Sequence, residues 1–136
     1  MTILALWATG LGAAAQFAKM SVIFADLGQT YVGQSPAAIG LLVSVVGMVG
    51  LIFGTTSGLV VARLGQRRCM LAALTLAVAV SLIQSALPPY PLMLLTRVAE
   101  GAAHLAVMVI GPPALAAVAP VRWQAAVLAL WSTIFG

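Results

Sequence analysis

Arg97, Glu100 and His104 stand at i, i+3 and i+7 in a stretch that is otherwise almost wholly apolar, so a helix would carry all three on one face. Each type brings its own chemistry. An arginine presents a planar fork of donors that matches a carboxylate, and a glutamate or histidine can take up and release a proton. Lys19 lies in a second apolar stretch near the amino terminus. Ionisable groups among lipid-facing residues cost roughly 3 kcal/mol or more and usually face a bundle interior or a water-filled cavity. Arg97 and Glu100 also qualify as a structural intrahelical pair that neutralises itself. His104 has no second ligand at metal spacing, so a hydrogen-bonded helix contact stands beside a proton-carrying role. Gln16 is open between an interhelical hydrogen bond and a solute contact.

The elements that must position these groups are set by composition. Of 136 residues, 63% are hydrophobic and only 6% charged, whereas a soluble domain has about a quarter of its residues charged. In water such a chain would expose apolar surface on every side; in a bilayer that surface is the correct outer face, so the lipid bilayer is the first partner. The net charge of +4 comes from six Lys and Arg against two acids, too few for the basic face of a nucleic-acid binder. Cys69 is alone, which excludes an intrachain disulfide and a cysteine metal cluster. With one histidine and two scattered acids there is no nucleophile-base-orienter set, phosphate loop or metal cluster, so the chain does not read as an enzyme and calls for no cofactor or metal.

A helix needs roughly 20 apolar residues to cross the hydrocarbon. Four stretches qualify, at about 3–25, 37–62, 69–87 and 91–118, and residues 125–136 begin a fifth too short to span. The expected fold is an all-α membrane protein with four transmembrane helices plus the start of a fifth. The first stretch lacks the basic n-region of a secretory signal. Ser35-Pro36 supplies a cap and a proline at the start of the second span, residues 26–35 read as a loop, and Pro88-Pro89-Tyr90-Pro91 reads as a tight turn. Gly111-Pro112-Pro113 is expected to bend the fourth span. Tyr31, Tyr90 and Trp123 fall near interfaces.

Arg63, Arg67 and Arg68 separate the second and third spans, and Arg122 separates the fourth and fifth. The intervening loops hold no Lys or Arg, so the amino terminus and both basic loops are expected in the cytoplasm. That orientation puts Lys19 roughly 7 Å beyond the middle of its helix, Arg97 at a similar height and Glu100 near the centre, which makes a Lys19, Arg97, Glu100 cluster geometrically possible. Gly40, Ser44, Gly47, Gly50, Gly54 and Gly58 recur at spacings of three and four in the second span. They predict tight helix packing, with a sliding surface as the second reading.

The stretch from 58 to 68 reads Gly58, three apolar residues, Ala62, Arg63, Leu64, Gly65, Gln66, Arg67, Arg68. It resembles the major facilitator superfamily, whose signature between its second and third helices is G-x-x-x-D-[RK]-x-G-[RK]-[RK]. Gly58, Arg63, Gly65, Arg67 and Arg68 match, while Ala62 replaces the aspartate and Gln66 the first of the two basic positions. Arg97-Val-Ala-Glu-Gly101 is similar to the R-x-x-x-G pattern of the family's fourth helix, and Leu130-Trp131 also looks familiar. The resemblance implies a secondary transporter of a small solute working by alternating access, of which residues 1–136 are the N-terminal part of a six-helix half in the cell (inner) membrane. The chain is read as a fragment, its partners being the missing C-terminal helices. The resemblance also implies that the first and fourth helices line the central cavity, which makes Lys19, Arg97, Glu100 and His104 the substrate or proton-coupling candidates. The absent aspartate puts aside a charge relay that supports the outward-facing state in the family.

Two cations against one acid predict a small organic anion as solute, held by Arg97, with Glu100 or His104 carrying a coupled proton. Two alternatives stand beside this reading. A small dimeric four-helix transporter fits the span count, but Lys19 stands where such exporters want a carboxylate. A non-transporting multi-pass scaffold or assembly subunit fits the topology and leaves Arg97, Glu100 and His104 without a reason.

Overall fold

In hydrocarbon the backbone finds no water to bond, so a run of apolar residues satisfies its own N–H and C=O groups as a helix. The computed structural model describes residues 2–135. Four helices are long and apolar enough to cross a membrane: α1 (Thr2–Val22), α3 (Pro36–Leu64), α4 (Gln66–Ser85) and α5 (Tyr90–Val118). A short α2 (Phe24–Thr30) follows α1, and α6 (Gln124–Ser132) lies between 3-10 turns at Val121–Trp123 and Thr133–Phe135. No strand occurs among the described residues.

The spans match the sequence reading to within a few residues, with one addition. Residues 24–30, expected partly as loop, are helical: the chain breaks at Ile23 and re-enters a helix that buries Leu27. Leu27 and Tyr31 sit four residues apart and join Met20, Ile39, Leu42 and Met93 in one core cluster, and that burial stabilises the extra turn. Ser35 caps α3 as expected, its hydroxyl accepting from the Ala38 amide at 3.2 Å, with Pro36 in the first turn. Tyr31 donates to the Pro88 carbonyl (2.7 Å) and Tyr90 to the Ala38 carbonyl (2.8 Å), so both tyrosines staple the ends of neighbouring helices. The helix α5 continues through Gly111-Pro112-Pro113 as one element.

The central element is α5, which packs against α1, α3, α4 and α6. Its buried residues, from Met93 through Arg97, Glu100, Gly101, Val107, Ile110 and Gly111 to Leu115, recur at helical spacing. Small residues matter here because packing, not water exclusion, joins helices in lipid. A Cβ at Gly101 would lie 2.9 Å from the Val49 side chain and 3.1 Å from the Val46 Cα, so this glycine sets how closely α5 approaches α3. The Trp131 ring of α6 occupies the space where a Cβ on Gly10 or Gly111 would go, wedged between α1 and α5. Its neighbour in that joint is Trp7, whose indole N–H donates to the Leu130 carbonyl at 3.0 Å.

The glycine-rich face of α3 behaves differently from the tight packing expected of it. Gly40, Gly50, Gly54 and Gly58 have no heavy atom within 4 Å of a would-be Cβ, and Gly47 meets only the Phe17 ring at 3.8 Å. The reason is that α3 buries Ile39, Leu42, Val46 and Val49, a different side of the helix, against its neighbours.

Candidate functional site

The local geometry of α5 turns Arg97 and Glu100 toward the same interior. Their separation of three residues lets Arg97 Nη1 donate to Glu100 Oε2 at 2.6 Å. Arg97 has no exposed surface, and its other donors are taken by backbone carbonyls: Nε by Leu42 at 2.8 Å, Nη1 also by Gln16 at 3.2 Å, and Nη2 by Phe17 at 3.4 Å. One guanidinium thereby ties α5 to both α3 and α1. A buried charge needs this degree of pairing, since an unpaired one would cost several kcal/mol.

Lys19 reaches the same carboxylate from α1. Its Nζ lies 2.8 Å from Glu100 Oε1, close enough for an ion pair but off the direction of a hydrogen bond, since that oxygen accepts none. Lys19 Nζ donates instead to Gln16 Oε1 and to Ser81 Oγ (3.2 Å), and Ser81 in turn donates to Gln16 Oε1 at 2.9 Å. The Lys19 side chain is 28% exposed, against 2% for that of Glu100. Two cations therefore share one carboxylate, an arrangement that helix depth made geometrically possible.

The helix α4 supplies residues that the sequence-based site lacks. Gln84 is buried, and its Nε2 donates to Glu100 Oε2 at 2.8 Å and to Thr96 Oγ1 at 3.2 Å; its Oε1 is buried without a partner. Ser81 and Gln84 are polar residues three apart in the uncharged third span, and that spacing is the signal by which they could have been found.

His104 lies one turn further along α5. Its Nδ1 is 3.1 Å from the Ala13 carbonyl, which can only accept, so that nitrogen carries the proton and Nε2 is the acceptor of the neutral ring. Its ring stands 5.2 Å from that of Phe17. His104, Glu100, Gln16 and Thr9 are the polar members of a cavity of about 210 Å³ enclosed by α1, α4 and α5, whose remaining wall is apolar. A few polar groups converging in an apolar cavity is the usual form of a small-molecule site.

The loop residues lie elsewhere, at the junction of α3 and α4. Gly65 takes φ +88°, a left-handed backbone that other residues rarely adopt, and its amide closes α3 by donating to the Val61 carbonyl at 2.9 Å. Arg63, Arg67 and Arg68 are exposed, as are Ala62, at the aspartate position, and Gly58. Carboxylate partners for these arginines are scarce, because the sequence contains only Asp26 and Glu100. Glu100 is buried between two cations, and Asp26 belongs to α2 beyond the other end of α3.

The order of spans, the glycine turn with its arginines, and an Arg97-Gly101 pair that packs one helix on another form a set that can be compared with known proteins. A family model described as Major Facilitator Superfamily matches residues 2–136. No curated protein matches the chain, and no solved structure does. The family match spans all the helices described above, and the chain belongs to the major facilitator superfamily of membrane transporters.

Proposed function

We propose that the chain works as part of a secondary active transporter that carries a small organic anion by alternating access, with protons as the driving ion. Its place is the cell (inner) membrane, with the amino terminus in the cytoplasm. The observation that carries this reading is the sharing of one carboxylate, Glu100, by two cations inside the span, which leaves one positive charge in surplus. An anionic solute completes the neutralisation.

The roles divide by exposure. Lys19, at the open edge of the cluster, is the cation a solute can reach. Arg97, enclosed by backbone carbonyls, positions Glu100 and holds α1, α3 and α5 as one body, which suits a mechanism in which a helical unit rocks against its partner. Glu100 and His104, both at the cavity wall, are the groups that carry the proton. The open glycine face of α3 suits a surface that slides during conformational change.

The test is uptake by the protein in proteoliposomes under an imposed pH gradient, comparing small carboxylates with cations of similar size. Anion uptake driven by an inward proton gradient is expected. Lys19→Gln should reduce it at least tenfold while the protein still elutes as a folded species, and Glu100→Gln should uncouple uptake from the gradient. Cation transport, or undiminished anion transport in Lys19→Gln, would defeat the reading.

A further inference from the structure

Away from the charged cluster, α3, α4 and α5 enclose a second feature with a different character. A groove of about 340 Å³ runs along α4 and α5, floored by Cys69, Ala72, Ala102 and Ala106 and closed by Leu76, with Arg68 as its only charged residue. A second hollow of about 260 Å³ on the α3 side shares Cys69, Ala102 and Ala106 with it, so the two adjoin. Alanines at these positions leave a smooth channel where larger side chains would fill the space between helices. The described fifth helix does not enter it, since Trp131 docks α6 against Gly10 of α1 and Gly111 of α5.

We propose that this groove binds an anionic phospholipid, one acyl chain lying along the alanines and the phosphate at Arg68. Charge complementarity argues for the headgroup. Arg68, with Arg67 beside it in sequence and Arg63 at the end of α3, has neither acidic side chain of the sequence within reach: Glu100 is buried between Lys19 and Arg97, and Asp26 lies in α2 beyond the other end of α3. The first turn of α4 has no side-chain cap, and its amides add to the positive field at that end. Dimensions argue for the chain. From Arg68 to Leu76 the groove follows about 12 Å of helix, close to one leaflet's half of a hydrocarbon core about 30 Å thick. The site is independent of the transport reading, because it shares no residue with the Lys19, Arg97, Glu100 cluster.

Native mass spectrometry of the purified protein, titrated with phosphatidylglycerol and with phosphatidylcholine of the same chains, tests this. Phosphatidylglycerol should bind about fivefold more tightly for each arginine engaged. Arg68→Gln should weaken phosphatidylglycerol binding by about fivefold and phosphatidylcholine, whose choline offsets its phosphate, by clearly less. Ala106→Phe should fill the groove and lower retention of both lipids; if that variant fails to fold, the exposed Ala72→Phe serves the same purpose. Glycerol 3-phosphate, the headgroup without chains, should not compete. Equal binding of the two lipids, an Arg68→Gln variant like wild type, competition by glycerol 3-phosphate, or undiminished binding in the phenylalanine variants would each overturn the proposal.

Discussion

Replacing Gly101 with alanine should do more damage than the loss of one hydrogen atom suggests. The new Cβ would meet the Val49 Cβ and Cγ2 at 2.9 Å and the Val46 Cα at 3.1 Å, where ordinary carbon contacts lie at about 3.5–4.0 Å. Val46 Cα is backbone and cannot rotate away, so α3 and α5 must separate by about 0.7 Å. One turn earlier, the same helix pair is joined by the 2.8 Å bond from Arg97 Nε to the Leu42 carbonyl. Arg97 stands opposite Leu42 with an offset of 55 residues, and Gly101 opposite Val46 with the same offset, so the separation acts directly on that bond. Overpacking costs about 1–3 kcal/mol and a weakened hydrogen bond to a charged group about 1–2, offset by about 1 kcal/mol of improved helix propensity. A net loss of about 1–4 kcal/mol follows. The assay is unfolding in mixed micelles by added SDS, followed by circular dichroism, with Gly12→Ala as control because nothing lies within 4 Å of its Cβ. Gly12→Ala should be neutral or stabilising by up to about 1 kcal/mol. If the two variants unfold alike, the close approach at Gly101 is not what holds α3 to α5.

Gly65→Ala forces a side chain onto φ +88°, ψ 138°, a conformation outside αL that is essentially confined to glycine, and should lower stability by about 1–3 kcal/mol in the same assay. Burial pushes the Tyr31 phenol above its usual range, so its neutral form is favoured by the fold. Its contribution is complete below about pH 10 and is lost as the pH rises through the raised value. Stability measured against pH should therefore fall on the alkaline side in the wild type and stay flatter in Tyr31→Phe. Cysteines placed at the exposed Gln34 and Gln66 in a Cys69→Ser background should label from opposite sides of intact cells; labelling of both from outside contradicts the orientation.

The spans were legible because apolar run length leaves little choice in lipid, and Ser35, Pro36 and Gly65 marked their boundaries by local chemistry. The helix α2 was not, since its only large buried side chain, Leu27, declares itself through a tertiary cluster with Ile39, Leu42 and Met93. Charge made Lys19, Arg97 and Glu100 conspicuous, and helix depth made their meeting geometrically possible. What depth could not show is that backbone carbonyls of α1 and α3 accept from the Arg97 guanidinium, leaving Lys19 as the more exposed of the two cations. Gln84, Ser81 and Thr96 passed unnoticed because neutral polar residues in a span attract no attention until their partners are seen. The glycines of α3 misled in the opposite direction: regular spacing predicted contact, yet the close approaches fall at the isolated Gly10, Gly101 and Gly111.

The central claim is that the surplus positive charge beside Glu100 selects an anion. It is tested most directly by the initial uptake rates of a small carboxylate and its neutral primary amide, equal in size and shape, in proteoliposomes containing wild type or Lys19→Gln. The account predicts that the wild type moves the carboxylate at least tenfold faster than the amide and that Lys19→Gln brings the two rates together. Equal rates in the wild type, or a preference for the carboxylate that survives Lys19→Gln, would contradict it.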